Sequence, residues 1–273
     1  MLFLYIMNLR IAYLACAVTI LTFVNTCIAQ VDTKPDKVSH AEPLYLDLVR
    51  DLGARKGEKE INIGADFSNS THYNTNAFLI EYEFAPINRL GLEVEADFSF
   101  YKRIHTNSET PGNKLECLRF STQYSFFVST KLQTTMALGY TQIAEFTAFK
   151  NYGKADFMTG TVYNPFFIAA KRWGKSFHSL SYISPMLEHT FATNALCLNW
   201  QINTSFHYVI PQTKHFIGVE LNKEFHDGVF CMTIRPQVKM KLSPKVALGL
   251  VTGIPVINQE EGYSSFVRII YEP

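Results

Sequence analysis

The sequence predicts an all-β fold, a transmembrane antiparallel β-barrel of about twelve strands, and three observations support this prediction. Aromatic residues make up 14% of the 273-residue chain and charged residues only 18%, a balance that favours strands and excludes a disordered protein. Long runs of the sequence alternate apolar and polar residues with period two. The connections between these runs are short at one end and longer at the other, as in outer-membrane barrels.

The charge balance and the cysteines exclude several classes of protein. Lys and Arg number 25 against 24 for Asp and Glu, so the chain has no basic field that would attract nucleic acid. After the first thirty residues, Cys117, Cys197 and Cys231 are the remaining cysteines. Their odd number and wide spacing match neither a zinc site nor a disulfide framework. We therefore expect no metal and no other cofactor.

Residues 1–29 are predicted to be a secretory signal peptide. Arg10 supplies the positive charge and the apolar stretch 11–21 follows it. Small residues at the −3 and −1 positions place the cleavage site before Gln30. A lipoprotein signal that modifies Cys27 is one alternative, and an uncleaved membrane anchor is another.

The next segment, 30–58, is predicted to lie in the periplasm and to contain a short amphipathic helix. Pro43 is suited to the first helical position, and Gly53 is suited to the end of the helix. Apolar residues repeat between them at helical spacing: Tyr45, Leu48, Val49 and Leu52. We expect this helix to plug or cover the periplasmic mouth of the barrel. A helix on the membrane surface, a partner-binding helix and a loosely held leader remain alternatives.

The barrel itself is predicted to span 59–273. Its alternating runs are mostly ten or more residues long, whereas ordinary strands average about 5–6 and tilted membrane strands need about 9–11. Two of them, 158–171 and 176–187, alternate raggedly and contain Pro165 and Pro185. The predicted strands are 59–68, 76–85, 90–101, 115–128, 131–146, 158–171, 176–187, 195–208, 214–224, 229–241, 245–256 and 262–271.

The connections decide which face of the barrel looks outward. Those after even-numbered strands are short, such as Ser129-Thr130, whereas 102–114 and 147–157, after the third and fifth strands, are long and polar. This sorting predicts an outer-membrane barrel that is surrounded by lipid, with both termini in the periplasm. Such a barrel would also need the barrel-assembly machinery during its biogenesis. A soluble β-sandwich or a lipocalin-like pair of barrels is the alternative.

Two segments also resemble a known family. The hairpin EYEFAPINRLGLEVEADFSFY at 81–101 resembles outer-membrane barrels grouped with the family named for the MetA pathway of phenol degradation. HAEPLY at 40–45, followed by DLGARKGEKE at 51–60, looks like a leader found on a bacterial subset of such proteins. The resemblance covers 39–101 well and the rest only as a general pattern. It implies a small outer-membrane barrel that could be a channel, and it identifies no substrate or functional residue.

Charged residues on the predicted inward faces are the candidate site. If Asn88 is at the centre of its turn, Glu81 faces Glu95 and Glu83 faces Glu93, so these carboxylates need cations nearby. We expect Arg119 on the next strand to contact Glu93 or Glu95. The network would either hold the barrel closed or line a lumen that selects a solute. The candidate lumen-lining residues are Glu81, Glu83, Glu93, Glu95, Asp97, Arg119, Arg235, Lys239 and Arg268.

No catalytic motif is apparent. Barrel enzymes place His-x-Ser on one strand, because period two puts both side chains on the same face, and neither His178 nor His207 has this spacing. Four histidines fall in predicted loops and are interpreted as solvated rather than as a metal site: His72, His105, His189 and His226. The sequence therefore predicts a narrow channel or small-solute transporter and not an enzyme. A closed structural or binding barrel is the alternative.

Overall fold

A computed structural model describes residues 35–46, 48–70, 72–104, 110–226, 228–257 and 261–273. The predicted signal peptide, its cleavage site and Cys27 lie outside the described residues, as does His105. Within the described ranges, no helix is long and apolar enough to cross a bilayer.

Twelve antiparallel strands form a closed barrel, in which every strand pairs with its neighbours in sequence and β12 pairs with β1. The predicted barrel of about twelve strands is thus confirmed. The strands are β1 (Lys59–Ser70), β2 (Tyr73–Ile87), β3 (Leu90–Arg103), β4 (Lys114–Ser129), β5 (Thr134–Phe146), β6 (Met158–Trp173), β7 (Phe177–Thr190), β8 (Ala195–Val209), β9 (Phe216–His226), β10 (Val229–Lys241), β11 (Val246–Ile257) and β12 (Glu261–Tyr271).

The barrel wall has its apolar face outside and most of its polar residues inside. On β3, Val94 is 44% exposed, whereas the side chains of Glu93 and Glu95 on either side of it are buried. Phe120 on β4 and Leu198 on β8 are likewise exposed. A soluble barrel would place these residues the other way round, so the outward apolar band is that of a membrane barrel.

β6 and β7 keep their prolines at one level of the sheet. Their pairing stops at Tyr163 opposite Leu187 and resumes at Phe167 opposite Ile183, so Pro165 and Pro185 share a single gap. Proline has no backbone N–H to give to the ladder. Placing both prolines in the same gap confines the lost hydrogen bonds to one interruption, and both predicted strands continue through it.

The two longest connections lie at the same end of the barrel, as expected. They are 104–113 after β3 and 147–157 after β5, and the second includes a short 3-10 helix, Phe149–Asn151. The predicted sorting holds less well elsewhere, because two other connections at this long-loop end are only two residues long, 71–72 and 227–228. The opposite, short-turn end carries both ends of the barrel sequence.

The residues before β1 turn into the lumen, and we call 36–57 the plug. Its described residues form bends and turns rather than the predicted helix. One reason is that lumen side chains take its backbone donors: the N–H of Ala41 donates to His178 Nδ1, at 2.9 Å. Another is that Arg50 and Gly53 have φ of 84° and 74°, which a right-handed helix does not allow.

The outward face of β3 gives a direct test of the membrane orientation. Val94→Lys near the middle of the strand should lower the free energy of unfolding by about 2–4 kcal/mol, because it places a charge in the hydrocarbon layer. The measurement is urea-induced unfolding from lipid vesicles, with Val94→Ile as the matched control. Equal stability of the two variants would contradict the orientation.

Candidate functional site: the plugged lumen

Both ends of the plug are fixed at the short-turn end of the barrel. Lys37 Nζ lies 2.8 Å from Asp51 Oδ2 and 2.8 Å from Glu58 Oε2, so one ammonium joins the entering and leaving chains. The N–H of Arg89, in the β2–β3 turn, donates to the carbonyl of Ala54 at 2.6 Å. The plug therefore enters and leaves on the same side and forms a closed loop inside the lumen.

Glu220 on β9 holds the far part of this loop. The backbone N–H groups of Leu44 and Tyr45 donate to Glu220 Oε1 at 3.0 Å, and that of Leu46 donates to Oε2 at 3.1 Å. Gln237 on β10 donates to the same carboxylate at 2.9 Å. Hydrogen bonds to a charged acceptor are stronger than neutral ones. The lumen thus supplies the acceptors that a helix would otherwise have to provide.

Arg50 neutralises two carboxylates of the wall. Its Nη1 lies 2.5 Å from Glu60 Oε2 on β1 and 3.1 Å from Glu83 Oε2 on β2, and all three side chains are buried. The carbonyl of Arg50 also accepts a hydrogen bond from Gln123 Nε2 on β4, at 2.9 Å. The plug therefore completes the charge balance of this part of the wall.

Apolar contacts hold the plug on two opposite sides. Leu48, Val49 and Leu52 pack on an inner patch of β5, β6 and β7, made of Ala137, Phe166, Ile168, Ala170, Leu180 and Tyr182. Ala41, Leu44 and Tyr45 pack on a patch of β9, β11 and β12, made of Phe216, Ala247, Val251, Phe266 and Ile270. The apolar residues that were predicted to form one helical stripe thus divide between two walls.

A histidine pair lies where the plug enters the lumen. His40 Nε2 is 3.0 Å from Thr135 Oγ1 on β5, and its ring meets that of His178 edge to face, with centroids 6.3 Å apart. Burial, aided by the nearby His178, lowers the pKa of His40 to about 4. His40 is therefore neutral at physiological pH and acts as a structural group.

The predicted acidic hairpin has the expected register. Glu81 pairs with Glu95 and Glu83 pairs with Glu93, and all four side chains are buried. Arg119 Nε lies 3.6 Å from Glu95 Oε1 and 2.9 Å from Asp97 Oδ2, which is the contact expected of Arg119.

Arg268 on β12 reaches across β1 and places its Nη2 3.4 Å from Glu81 Oε2. Carboxylate oxygens of Glu81, Glu83 and Glu93 lie within 4.8 Å of one another, a spacing that could also hold a cation. Arg50 and Arg268 already contact two of these three glutamates, so the arrangement is a salt-bridge network and does not by itself define a metal site.

The remaining two predicted residues face the plug instead of the acidic hairpin. The guanidinium carbon of Arg235 lies 3.3 Å from the centroid of the Tyr45 ring, and its Nη1 donates to Ser264 Oγ at 3.0 Å. Lys239 lies on the same face of β10 and is close enough to Glu42 for its charge to lower the pKa of that carboxyl group. Arg235 and Lys239, across the lumen from the acidic hairpin, therefore interact with the plug.

Above the plug, the lumen contains a cavity of about 390 Å³. Tyr45, Leu46 and Val49 of the plug form its floor. Its charged lining residues are Asp66, Glu93, Glu95, Asp97, Glu116, Arg119, Glu224 and Arg268. The plug closes the short-turn side, whereas Glu224 is exposed at the long-loop side.

The sequence did not predict the side chains that join the plug to the wall, which are Arg50 of the plug and Glu60, Gln123, His178, Glu220 and Gln237 of the wall. Glu220 carried a weak signal, because it is an acidic residue at an inward position of a predicted strand. Arg50 carried none, since a charged residue in a segment before a barrel is ordinarily solvated.

A closed barrel with an apolar outer band and a lumen closed on one side by its own N-terminal segment defines a plugged outer-membrane β-barrel. The chain belongs to the family described as HAEPLYID-like, which matches residues 36–272 and so includes the plug. That description resembles HAEPLYLD at 40–47 of this chain. The resemblance to the MetA-pathway family is not confirmed. No curated protein matches the chain.

Solved structures of outer-membrane channels have the same fold. An outer-membrane channel from Pseudomonas putida F1 aligns with a TM-score of 0.62 and 12% identity, over 89% of this chain and 100% of the other. The KdgM porin aligns with a TM-score of 0.54 and 12% identity, over 78% and 98%. The NanC porin aligns with a TM-score of 0.55 and 9% identity, over 78% and 99%. At these identities the likeness shows the fold alone.

The Arg50 contacts predict a large effect of one substitution. Arg50→Ala should lower the free energy of unfolding by about 3–5 kcal/mol, because Glu60 and Glu83 would be left buried without their cation. The exposed Lys56 provides the control, since Lys56→Ala removes the same charge from the same segment. Denaturant titration of both variants in lipid vesicles makes the comparison, and equal losses would contradict the role of Arg50.

The buried carboxyl group of Glu42 should make docking of the plug depend on pH. Burial, aided by Asp51, raises the pKa of Glu42 to about 8, against the opposing charges of Arg50 and Lys239. The docked plug therefore holds a proton that a released plug loses near the ordinary pKa of 4.5, so docking weakens as the pH rises through 7 to 8. The lowered pKa of His40 makes docking depend on pH only below 6.5, the ordinary pKa of histidine, because above that value the ring is neutral in both the docked and the released plug.

Trypsin cleavage after Lys37 or Arg50 measures this release in detergent-solubilised protein. The cleavage rate of the wild type, divided by that of Glu42→Gln, should rise between pH 7 and pH 8. This ratio cancels the pH dependence of trypsin itself. A constant ratio would show that Glu42 does not control docking.

Proposed function

We propose that the protein is a narrow outer-membrane channel or small-solute transporter, closed at its periplasmic end by its own N-terminal plug. The observation that carries the proposal is the contrast between the two halves of the lumen. The short-turn half is filled by a segment that contributes no strand to the wall, and the other half is a polar cavity of about 390 Å³. This is the arrangement expected of a gated passage.

The way in which the plug is attached supports gating. β1 pairs directly with β12, so the barrel is closed without any hydrogen bond from the plug. Release of the plug would therefore leave the strand ladder intact. Apart from backbone hydrogen bonds where it leaves the lumen, such as that of Arg89 to Ala54, the plug is bound by contacts that involve side chains, such as those of Arg50 and Glu220. These contacts can break and reform without unfolding the wall.

The proposed location follows from the barrel and from the residues before it. The outward apolar band would lie in outer-membrane lipid, and export through the periplasm would use the predicted signal peptide, removed near Gln30. The short-turn end would then face the periplasm and the loops 104–113 and 147–157 would lie at the cell surface.

The solute of a structural neighbour does not carry over to this chain. The KdgM porin has a structure in complex with disordered oligogalacturonate, a chain of sugar acids. Here the cavity is lined by more carboxylates than guanidinium groups. Like charges repel more strongly where water is scarce, so this lumen disfavours an acidic oligosaccharide.

A closed structural or binding barrel is the second candidate. The observation that favours it is the extent of apolar packing on both sides of the plug, around Leu52 and around Leu44, each 1% exposed. Burying such side chains contributes about 1.5–3 kcal/mol each. A plug held this firmly would keep the lumen closed permanently.

Gly91 on β3 offers a test that removes no plug residue. A Cβ at Gly91 would clash with the carbonyl oxygen of Val49 and lie 2.8 Å from Arg50 Cβ, because the plug backbone passes directly over this glycine. Gly91→Val should therefore push the plug away from the wall. We expect single-channel conductance in planar bilayers that the wild type does not have, or has at least ten times less often.

Ala96→Val is the matched control, since it adds similar bulk to the same strand at an outward position. It should conduct like the wild type. If Gly91→Val folds, as judged by its heat-modified gel mobility, becomes sensitive to trypsin in the plug and still does not conduct, the channel is wrong and the closed barrel is favoured.

A further inference from the structure

We infer that the cavity above the plug is a binding site for a small organic cation of the linear diamine class. The inference rests on the proposed channel function for its meaning in transport, because it names the solute class that the lumen would accept. The site itself is defined by the residues around the cavity and needs no movement of the plug.

The lining of the cavity carries an excess of negative charge. Six carboxylate side chains line the cavity, namely Asp66, Glu93, Glu95, Asp97, Glu116 and Glu224, against the two guanidinium groups of Arg119 and Arg268. Arg119 is already within 2.9 Å of Asp97, and Arg268 extends to Glu81, which is not part of the cavity lining. Lys114, outside the lining, places its Nζ 2.7 Å from Glu116 Oε1. Six carboxylates still outnumber these three cations, so the local balance is negative, and a cationic ligand would reduce the repulsion among the carboxylates.

One hydrogen-bond acceptor in the wall of the cavity lacks a donor. Asn222 on β9 lines the cavity and is only 7% exposed. Its Nδ2 donates to Glu220 at 3.4 Å, whereas its Oδ1 has no hydrogen-bond partner among the described residues. Buried polar atoms ordinarily have a partner. An ammonium group, which has three N–H donors and no acceptor, would satisfy this oxygen and the carboxylates together.

Part of the same cavity is lined by aromatic rings. Phe166 and Tyr182 are stacked with ring centroids 5.3 Å apart, and Tyr45 meets Phe266 edge to face at 5.6 Å. Aromatic faces attract ammonium groups and also pack against methylene chains. Two charged ends joined by an apolar chain therefore fit this lining better than a bare metal ion does.

The volume and the access route narrow the ligand further. A cavity of about 390 Å³ is at the small end of the range of about 300–1,000 Å³ for ligand pockets, which favours a single small molecule over an oligomer. Glu224 is exposed at the long-loop end, so a ligand can enter from that side. Binding can therefore be measured on the plugged protein, independently of conduction.

Isothermal titration calorimetry on the full barrel with its plug, in detergent, tests the inference with three molecules of the same chain length. Putrescine carries two ammonium groups, 1,4-butanediol is neutral and succinate is a dianion. We expect putrescine to bind at least ten times more tightly than butanediol and succinate to give no binding heat. Added salt should weaken putrescine binding.

Variants assign the binding to the cavity. Asp66→Asn combined with Glu224→Gln should weaken putrescine binding at least five-fold, and Asn222→Leu should weaken it at least three-fold, because each removes acceptors from the lining. Asp156→Asn, in the exposed part of 147–157, removes a carboxylate outside the cavity and should leave binding unchanged. Heat-modified gel mobility checks that each variant forms the barrel.

The outcomes separate this inference from the proposed channel. Putrescine that binds no more tightly than butanediol, or equally well to the cavity variants and the wild type, would overturn the inference even if Gly91→Val conducts. Putrescine that binds as expected while Gly91→Val stays closed would remove the channel function and leave a diamine-binding barrel.

Discussion

Glu60 and Glu83 lie directly opposite each other on β1 and β2, and the guanidinium group of Arg50 contacts both. Two carboxylates so placed cannot both stay ionised in a buried position without a cation. While the plug is docked and excludes water, the charge balance of this part of the wall therefore depends on a plug residue. Since Arg50 is held in a left-handed conformation, the bends on either side of it are also fixed by this contact.

The same dependence explains the unusual composition of the inner wall. Ile168 and Leu180 face inward on β6 and β7, and Ala247 and Ile270 do so on β11 and β12. An inner face exposed to water would not carry these residues at such density. They are buried because the plug covers them, so these strands carry apolar residues on both faces, outward toward lipid and inward toward the plug.

Because these strands are covered by lipid on one face and by the plug on the other, only part of the structure could be predicted from the sequence. Period-two alternation located the strands closely, and it placed Glu81 opposite Glu95 because a hairpin register follows from its turn. The apolar–polar alternation was ragged at 158–171 and 176–187 because inward residues that contact the plug there are also apolar. The structure of the plug could not be predicted from the spacing of its apolar residues. Tyr45, Leu48, Val49 and Leu52 have helical spacing, yet they pack on two different walls. Their arrangement depends on acceptors such as Glu220, which lies about 175 residues further along the chain.

The plug also covers charged side chains of the wall, and its release would change the charge along the lumen that a passing ion encounters. Glu220 would lose the three backbone N–H groups of Leu44, Tyr45 and Leu46, and Glu60 and Glu83 would lose Arg50. An unblocked pore would then expose three additional carboxylates along its length. In the proposed channel, these carboxylates would line the open lumen, so the movement that opens it would also make it more cation-selective.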